Sequence, residues 1–348
     1  MNKFNGFLII ILLTTNNIVL SQQDKVEEFR LNPNALECLS NDQRTKIWNE
    51  IDNNLNQLNK EKSLFPFSNK QTITQFNWVL RNSPFNHDPA VYAISAHVDH
   101  NPTVDTSLYF TINNPLFNKD YNCGSRTYDT KAGYNHQGTD IYTYPFGWNK
   151  MDNSEVEVVA GADGVIIGKS DGNFDRSCRL NTNNWNAIYV MHSDSSYVWY
   201  GHLKKNSTTA KNIGEYLGIV GSSGNSSGPH LHLEIYNANR QLIDPWLGTC
   251  NPTTNTTWWS NQRPYYDPAI NKLMITKNLV QFKPSPTQDI YQPVDTVDLN
   301  DVRNTFFYCF GRDIRKSDTL HFEIHRPDNS LFDNTPFIFN NTAHFSSF

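Results

Sequence analysis

The sequence predicts a mainly β protein. An antiparallel sheet is expected over residues 121–250, with a small N-terminal region holding one helix before it and a β-rich C-terminal module after it. Three observations carry this reading. Short apolar runs recur between about 155 and 236, broken by Asn, Asp, Ser, Pro and Gly turn residues. Residues 40–62 hold the clearest helical periodicity in the chain. Charged residues make up 18% against 38% hydrophobic and 13% aromatic, which excludes charge-rich disorder and a coiled-coil rod. The 348 residues suffice for roughly two domains. A net charge of -5 argues against a phosphate-backbone binder, so no nucleic-acid partner is expected.

The chain opens with Lys3 and an apolar run over 7–13, then a second apolar patch, Ile18, Val19 and Leu20, that ends in Ser21. This is the layout of a signal peptide over 1–21, too short to span a bilayer, which needs about 20 apolar residues. A secreted or periplasmic location without a transmembrane anchor is therefore expected. Residues 22–120 follow as an N-terminal region. In its helix Ser40 or Asn41 can cap, and Ile47, Ile51, Leu55 and Leu58 repeat at helical spacing for packing. Strand-like runs begin at 76–80 and 91–94 and become dense at 155–159, 164–169, 187–192, 197–202, 216–220 and 230–236. Ala162-Asp163-Gly164 and Ser193 to Ser196 read as hairpin turns, and the Gly/Ser-rich stretch 221–228 as a flexible rim loop. Residues 251–293 form a connector ending near Lys283-Pro284-Ser285-Pro286, and 294–348 a β-rich module with no obvious closing strand after 336–339.

Five cysteines remain after the leader: Cys38, Cys123, Cys178, Cys250 and Cys309. An oxidising compartment makes disulfides their expected use, with two bridges and one thiol left over, the pairing open.

The chemistry lies in His136-Gln137-Gly138-Thr139-Asp140, Tyr200-Gly201-His202-Leu203 and Gly228-Pro229-His230-Leu231-His232, with Glu234 two residues on. A catalytic zinc takes three protein nitrogen or oxygen ligands and keeps a position for water. On an extended strand His136 and Asp140 would stand about 13 Å apart, so the chain must bend between them, and Gly138 permits that bend. His230 and His232 share one face of a strand, and spacing alone leaves open whether both ligate.

These motifs resemble the lysostaphin-type (LytM-like) zinc endopeptidases, many of which cleave peptide cross-links in bacterial peptidoglycan. The resemblance covers about residues 121–250 and includes Asp163-Gly164-Val165 and the stretch from Val220 to His232. It implies one zinc ion per chain held by His136, Asp140 and His232, with His202 and His230 acting on water and substrate, in a sheet domain with an open groove. Zinc would lower the pKa of its water to about 7 and polarise the scissile carbonyl. The implied partner is a peptidoglycan peptide. Proteinase activity on extracellular proteins, or a non-catalytic wall-binding or activating module, are the alternatives, and the second is disfavoured because no ligand position is lost. Residues 22–120, which carry no catalytic motif, are expected to pack beside the sheet and restrict its groove until processed. Ala96-His97-Val98-Asp99-His100 lacks a third partner nearby, and His321-Phe322-Glu323-Ile324-His325 reads as the polar outer face of a strand.

Overall fold

The computed structural model describes residues 38–60, 74–103, 110–130, 134–209, 215–295, 305–325, 328–339 and 343–347. The expected signal peptide lies outside the described residues. The chain falls into two compact units, one built from 27–265 with 283–288 and the other including 266–282 and 289–348.

The larger unit is built on a seven-stranded antiparallel sheet. Its strands run in the order Tyr92–Ala96, Thr139–Thr143, His230–Tyr236, Tyr197–Gly201, Ala187–His192 and Gly164–Ser170, and the short strand Leu242–Ile243 pairs with His230–Tyr236. Side-chain alternation divides the sheet between two cores. Leu231, Leu233, Ile235, Val198 and Tyr200 point into one of them, where Val156, Val158 and Leu217 meet them from a three-stranded sheet of Leu80–Asn82, Val156–Val159 and Tyr216–Ile219. Tyr197, Trp199 and Tyr236 point to the opposite face, into a second core with Ile47 and Ile51 of helix α1, Asn41–Lys60. Trp48 fixes the helix there, its ring 5.3 Å from Tyr197 and 5.2 Å from Tyr236 in edge contacts.

Helix α1 starts where the sequence places it. Gln43 N–H donates to Ser40 Oγ at 3.2 Å and Ser40 N–H to Gln43 Oε1 at 2.9 Å, a capping box that satisfies two otherwise orphaned donors and fixes the direction of the preceding chain. A second, short helix, α2, spans Gly147–Asp152.

Several expectations are corrected. Ala162-Asp163-Gly164 is no hairpin turn, because Val156–Val159 and Gly164–Ser170 belong to different sheets. Gly164 is there for room: a Cβ would lie 2.5 Å from Val190 and 2.8 Å from the Met191 carbonyl. Ser193 to Ser196 does turn between Ala187–His192 and Tyr197–Gly201. The stretch 221–228 is held rather than loose: Ser222, Ser223 and Ser226 are buried, Ser222 Oγ donates to the Ser177 carbonyl and Ser223 Oγ to that of Leu203. Small hydroxyl side chains satisfy that backbone from within. The region before 121 is also woven into the larger unit, supplying the sheet strand Tyr92–Ala96 and the strand Leu80–Asn82.

In the other unit, Ala269–Thr276, Phe306–Ile314 and Ala343–Ser347 form an antiparallel sheet, and Thr319–His325 pairs with Leu331–Ile338 as a hairpin. A strand thus follows 336–339, and part of the expected connector is itself a strand.

One disulfide forms, Cys123–Cys250, where two were expected. Cys38 and Cys309 are buried thiols and Cys178 is a partly buried one. The bridge ties together segments 127 residues apart. Cys123→Ser should lower unfolding free energy by about 2–4 kcal/mol, read from urea denaturation under oxidising conditions.

Candidate active site

Strand register assembles the site. Asp140 on Thr139–Thr143 is paired directly with His232 on His230–Tyr236, and His232 is in turn paired with Gly201 on Tyr197–Gly201. His202 follows at the end of that strand, and His136 precedes Thr139–Thr143 by a short bend. All five predicted residues come together. Gly138, expected for its conformational freedom, has a different reason: a Cβ there would lie 2.7 Å from the His232 ring, so only glycine lets the bend close over it.

Ligand atoms of His136, Asp140 and His232 lie within 4.8 Å of one another, all buried. Asp140 Oδ2 is 3.2 Å from His136 Nε2, and Oδ1 is 2.7 Å from His232 Nδ1. Each ring is anchored behind by its other nitrogen. His136 Nδ1 donates to the His97 carbonyl at 2.7 Å, and His232 Nε2 donates to Glu234 Oε1 at 2.9 Å. Neutral rings bound in this way turn two lone pairs inward, 3.3 Å apart and beside a carboxylate. Three electron-pair donors so placed repel unless a cation or a proton stands among them. Without a metal the proton falls to His232: burial opposes its charge, but Asp140 and Glu234 outweigh that and raise its pKa to about 9. The two-nitrogen, one-oxygen donor set is that of a catalytic zinc site, and the inward lone pairs fit the ion.

His202 and His230 are also aimed inward. His202 Nδ1 donates to the Ser223 carbonyl at 2.6 Å and His230 Nδ1 to that of Gly228 at 2.8 Å, which leaves Nε2 of each facing the centre. His230 Nε2 lies 3.6 Å from Asp140 Oδ1, and the two rings are 4.4 Å apart. Burial depresses the pKa of both, and for His202 the neighbouring His230 and His232 depress it further. Both rings are therefore neutral near pH 7. His202 holds a left-handed φ of 64° without being glycine, a strain of about 1–3 kcal/mol that the surrounding contacts impose.

Glu234 proves to be part of this arrangement. It is fully buried, and Arg44 of α1 grips it with both nitrogens, Nη1 on Oε2 at 2.7 Å and Nη2 on Oε1 at 2.8 Å. Burial would raise its pKa, but Arg44 first and then His232 hold it well below the usual carboxylate range. Helix α1 thus does more than pack, since it delivers the cation that keeps Glu234 ionised and His232 oriented. Glu234 shares the His230 and His232 face by period-2 spacing, a signal visible in sequence. Arg44, 190 residues away, has no such signal. Cys38, just before the helix, was one of five cysteines whose pairing the sequence left open, and its Sγ lies 3.3 Å from His202 Nε2.

The other histidine clusters do not assemble a metal set. His100 Nε2 bonds Asp244 at 2.8 Å, Asp99 accepts from the Asn101 and Lys119 backbones, and His97 meets Tyr121 and Trp246 edge-on and stacks with Tyr265. His321, Glu323 and His325 stand on a strand, with His321 and Glu323 exposed.

Residues 134–245 match the family described as peptidase family M23. The chain carries a peptidase family M23 domain. All five site residues fall inside the M23 match, whereas Cys38 and Arg44 lie outside it. Among similar proteins, the DD-carboxypeptidase/endopeptidase Mpg of Neisseria meningitidis serogroup B is 34% identical over 125 residues, covering 35% of this chain and 24% of that protein. Lysostaphin of Staphylococcus simulans is 25% identical over 185 residues, covering 46% of this chain and 37% of lysostaphin. The chain thus spans about a quarter of the first relative and under two fifths of the second. The solved catalytic domain of lysostaphin from Staphylococcus simulans is 24% identical, with a TM-score of 0.23, covering 32% of this chain and 77% of that one.

Because a carboxylate behind a ligating imidazole fixes its orientation and basicity, Glu234→Ala should weaken zinc binding to the M23 domain about 10–100-fold. Competition against a chromophoric chelator measures this, with His321→Ala as the unaffected control.

Proposed function

We propose that this chain is a secreted zinc-dependent endopeptidase whose substrates are peptide cross-links of peptidoglycan. The observation that carries the reading is the convergence of His136, Asp140 and His232 on one point, with two further neutral histidines turned to the same point, inside an M23 domain. Relatives named as a DD-carboxypeptidase/endopeptidase and a peptidoglycan DD-endopeptidase support wall peptide as the substrate class. Secretion is supported by the leader-like first 21 residues. Among the described residues no helix is long and apolar enough to cross a membrane.

His136 Nε2, Asp140 and His232 Nδ1 would hold the zinc ion. When bound it acts as a Lewis acid toward the scissile carbonyl and toward water. The remaining work belongs to the chain. His202 and His230, each neutral and held by a backbone carbonyl at Nδ1, present Nε2 as proton acceptors to a water between them. Once protonated, the same rings can donate to the developing oxyanion or to the leaving amine. Glu234 and Arg44 keep His232 in its tautomer throughout.

Incubation of the zinc-loaded protein with purified sacculi should release soluble muropeptides, identified by mass. His232→Ala and Asp140→Ala should lose both bound zinc and release. His202→Ala and His230→Ala should retain zinc and lose about 10²–10⁴-fold in rate. Release undiminished by Asp140→Ala would overturn the ligand assignment.

A further inference from the structure

Among the five site residues only His202 has a left-handed φ, and the contacts that hold it there converge on one residue outside the five. Asn186, fully buried just before the strand Ala187–His192, takes both polar groups of Leu203, the residue after His202. Its carbonyl accepts from the Leu203 N–H at 2.9 Å, and its Nδ2 donates to the Leu203 carbonyl at 3.2 Å. Asn186 also holds the segment that anchors the imidazole. Its N–H donates to Ser223 Oγ at 2.8 Å, Ser223 Oγ donates to the Leu203 carbonyl at 2.9 Å, and the Ser223 carbonyl accepts from His202 Nδ1 at 2.6 Å. Asn173 fixes the Asn186 amide in turn: its N–H donates to Oδ1 at 2.9 Å, and its carbonyl accepts from Nδ2 at 3.2 Å. Trp185 packs beside this network, edge-on to the His202 ring at 5.5 Å and so close to Gly201 that a Cβ there would lie 2.2 Å from the indole.

We infer that Asn186 is a positioning residue for His202, setting the direction in which Nε2 meets water and substrate. The inference rests on the reading of His202 as a proton acceptor. A left-handed φ at a residue with a β-carbon persists only where the surroundings over-determine it. Here the peptide after His202 and the carbonyl behind its ring are tied to the same buried amide, whose two hydrogens and one oxygen are all engaged, so that only one orientation satisfies it. An apolar side chain of similar size would fill the space and leave the Leu203 carbonyl one donor short. The Leu203 peptide could then turn, and His202 would relax and carry Nε2 away from the centre. A misplacement of about 1 Å in a reacting group costs about 10²-fold in rate. Asn186 makes no bond to His136, Asp140 or His232, so the ion they would hold should be unaffected.

Two measurements test this, the first without metal or substrate. In the metal-free protein the His202 Nδ1–H should give a low-field proton resonance, identified by its loss in His202→Ala. Asn186→Leu should move that resonance upfield or lose it to exchange, while the resonance of His192, whose Nδ1 donates to the Asp163 carbonyl at 2.8 Å, stays in place. With zinc restored and a soluble cross-linked muropeptide as substrate, Asn186→Leu should keep one zinc per chain and hold KM within about threefold, while kcat falls about tenfold or more. In the His202→Ala background the same substitution should change kcat less than about twofold, because a residue that works through His202 has nothing left to act on. If Asn186→Leu does not fold, Ser223→Ala, which removes the other donor to the Leu203 carbonyl, carries both measurements with a smaller loss in the same direction. An equal fold-loss in the two backgrounds, a His202 resonance unchanged by Asn186→Leu, or loss of zinc overturns the inference and leaves the endopeptidase reading standing. No hydrolysis by the zinc-loaded unaltered chain, or full activity in His202→Ala, overturns the role given to His202 and the inference with it.

Discussion

The site depends on one pairing in one ladder, Asp140 opposite His232. Side chains alternate along a strand, so this register puts His230, His232, Glu234 and Tyr236 on the face toward α1 and Leu231, Leu233 and Ile235 into the opposite core. A slip of one residue would exchange the two sets, burying histidines among Val198 and Ile141 and turning leucines toward the helix. The apolar core therefore enforces the geometry of the polar face. Asp140 and His232 need no loop to position them, and His136 depends on the short bend at Gly138.

A second chain of dependence runs outward from the centre. His232 is oriented by Glu234, Glu234 is kept ionised by Arg44, and Arg44 is presented by a helix whose seat is Trp48, Ile47 and Ile51. Removing one partner of a buried ion pair costs about 3–5 kcal/mol, since the remaining charge stays uncompensated. The helix is thus bound to the sheet by charge as well as by apolar area. Its docking and the orientation of an imidazole on the far side of Glu234 are the same event.

Much of this was legible in the sequence. The strands at 187–192 and 230–236, the helix and its Ser40 cap, and the five inward residues all follow from period and motif, because each is encoded within a few neighbouring positions. What escaped is encoded between distant ones. Arg44 on Glu234 and Cys38 on His202 join residues 190 and 164 positions apart, and no local pattern marks either. The turn at Ala162-Asp163-Gly164 misled for a related reason: turn chemistry shows that the chain reverses, and only tertiary pairing decides whether the flanking strands meet. The buried serines of 221–228 look like a flexible tract by composition, yet small hydroxyls serve equally well to satisfy a tightly packed backbone.

The lone pairs facing one another at the centre would also link metal binding to folding. A cluster that repels itself when neutral, or must hold a buried proton, is destabilising until a cation enters, so the free energy of binding is in part recovered folding free energy. Coupling of this kind is reciprocal. Whatever seats α1 favours the orientation of His232 that would receive an ion, and an ion bound there would in turn favour the seated helix.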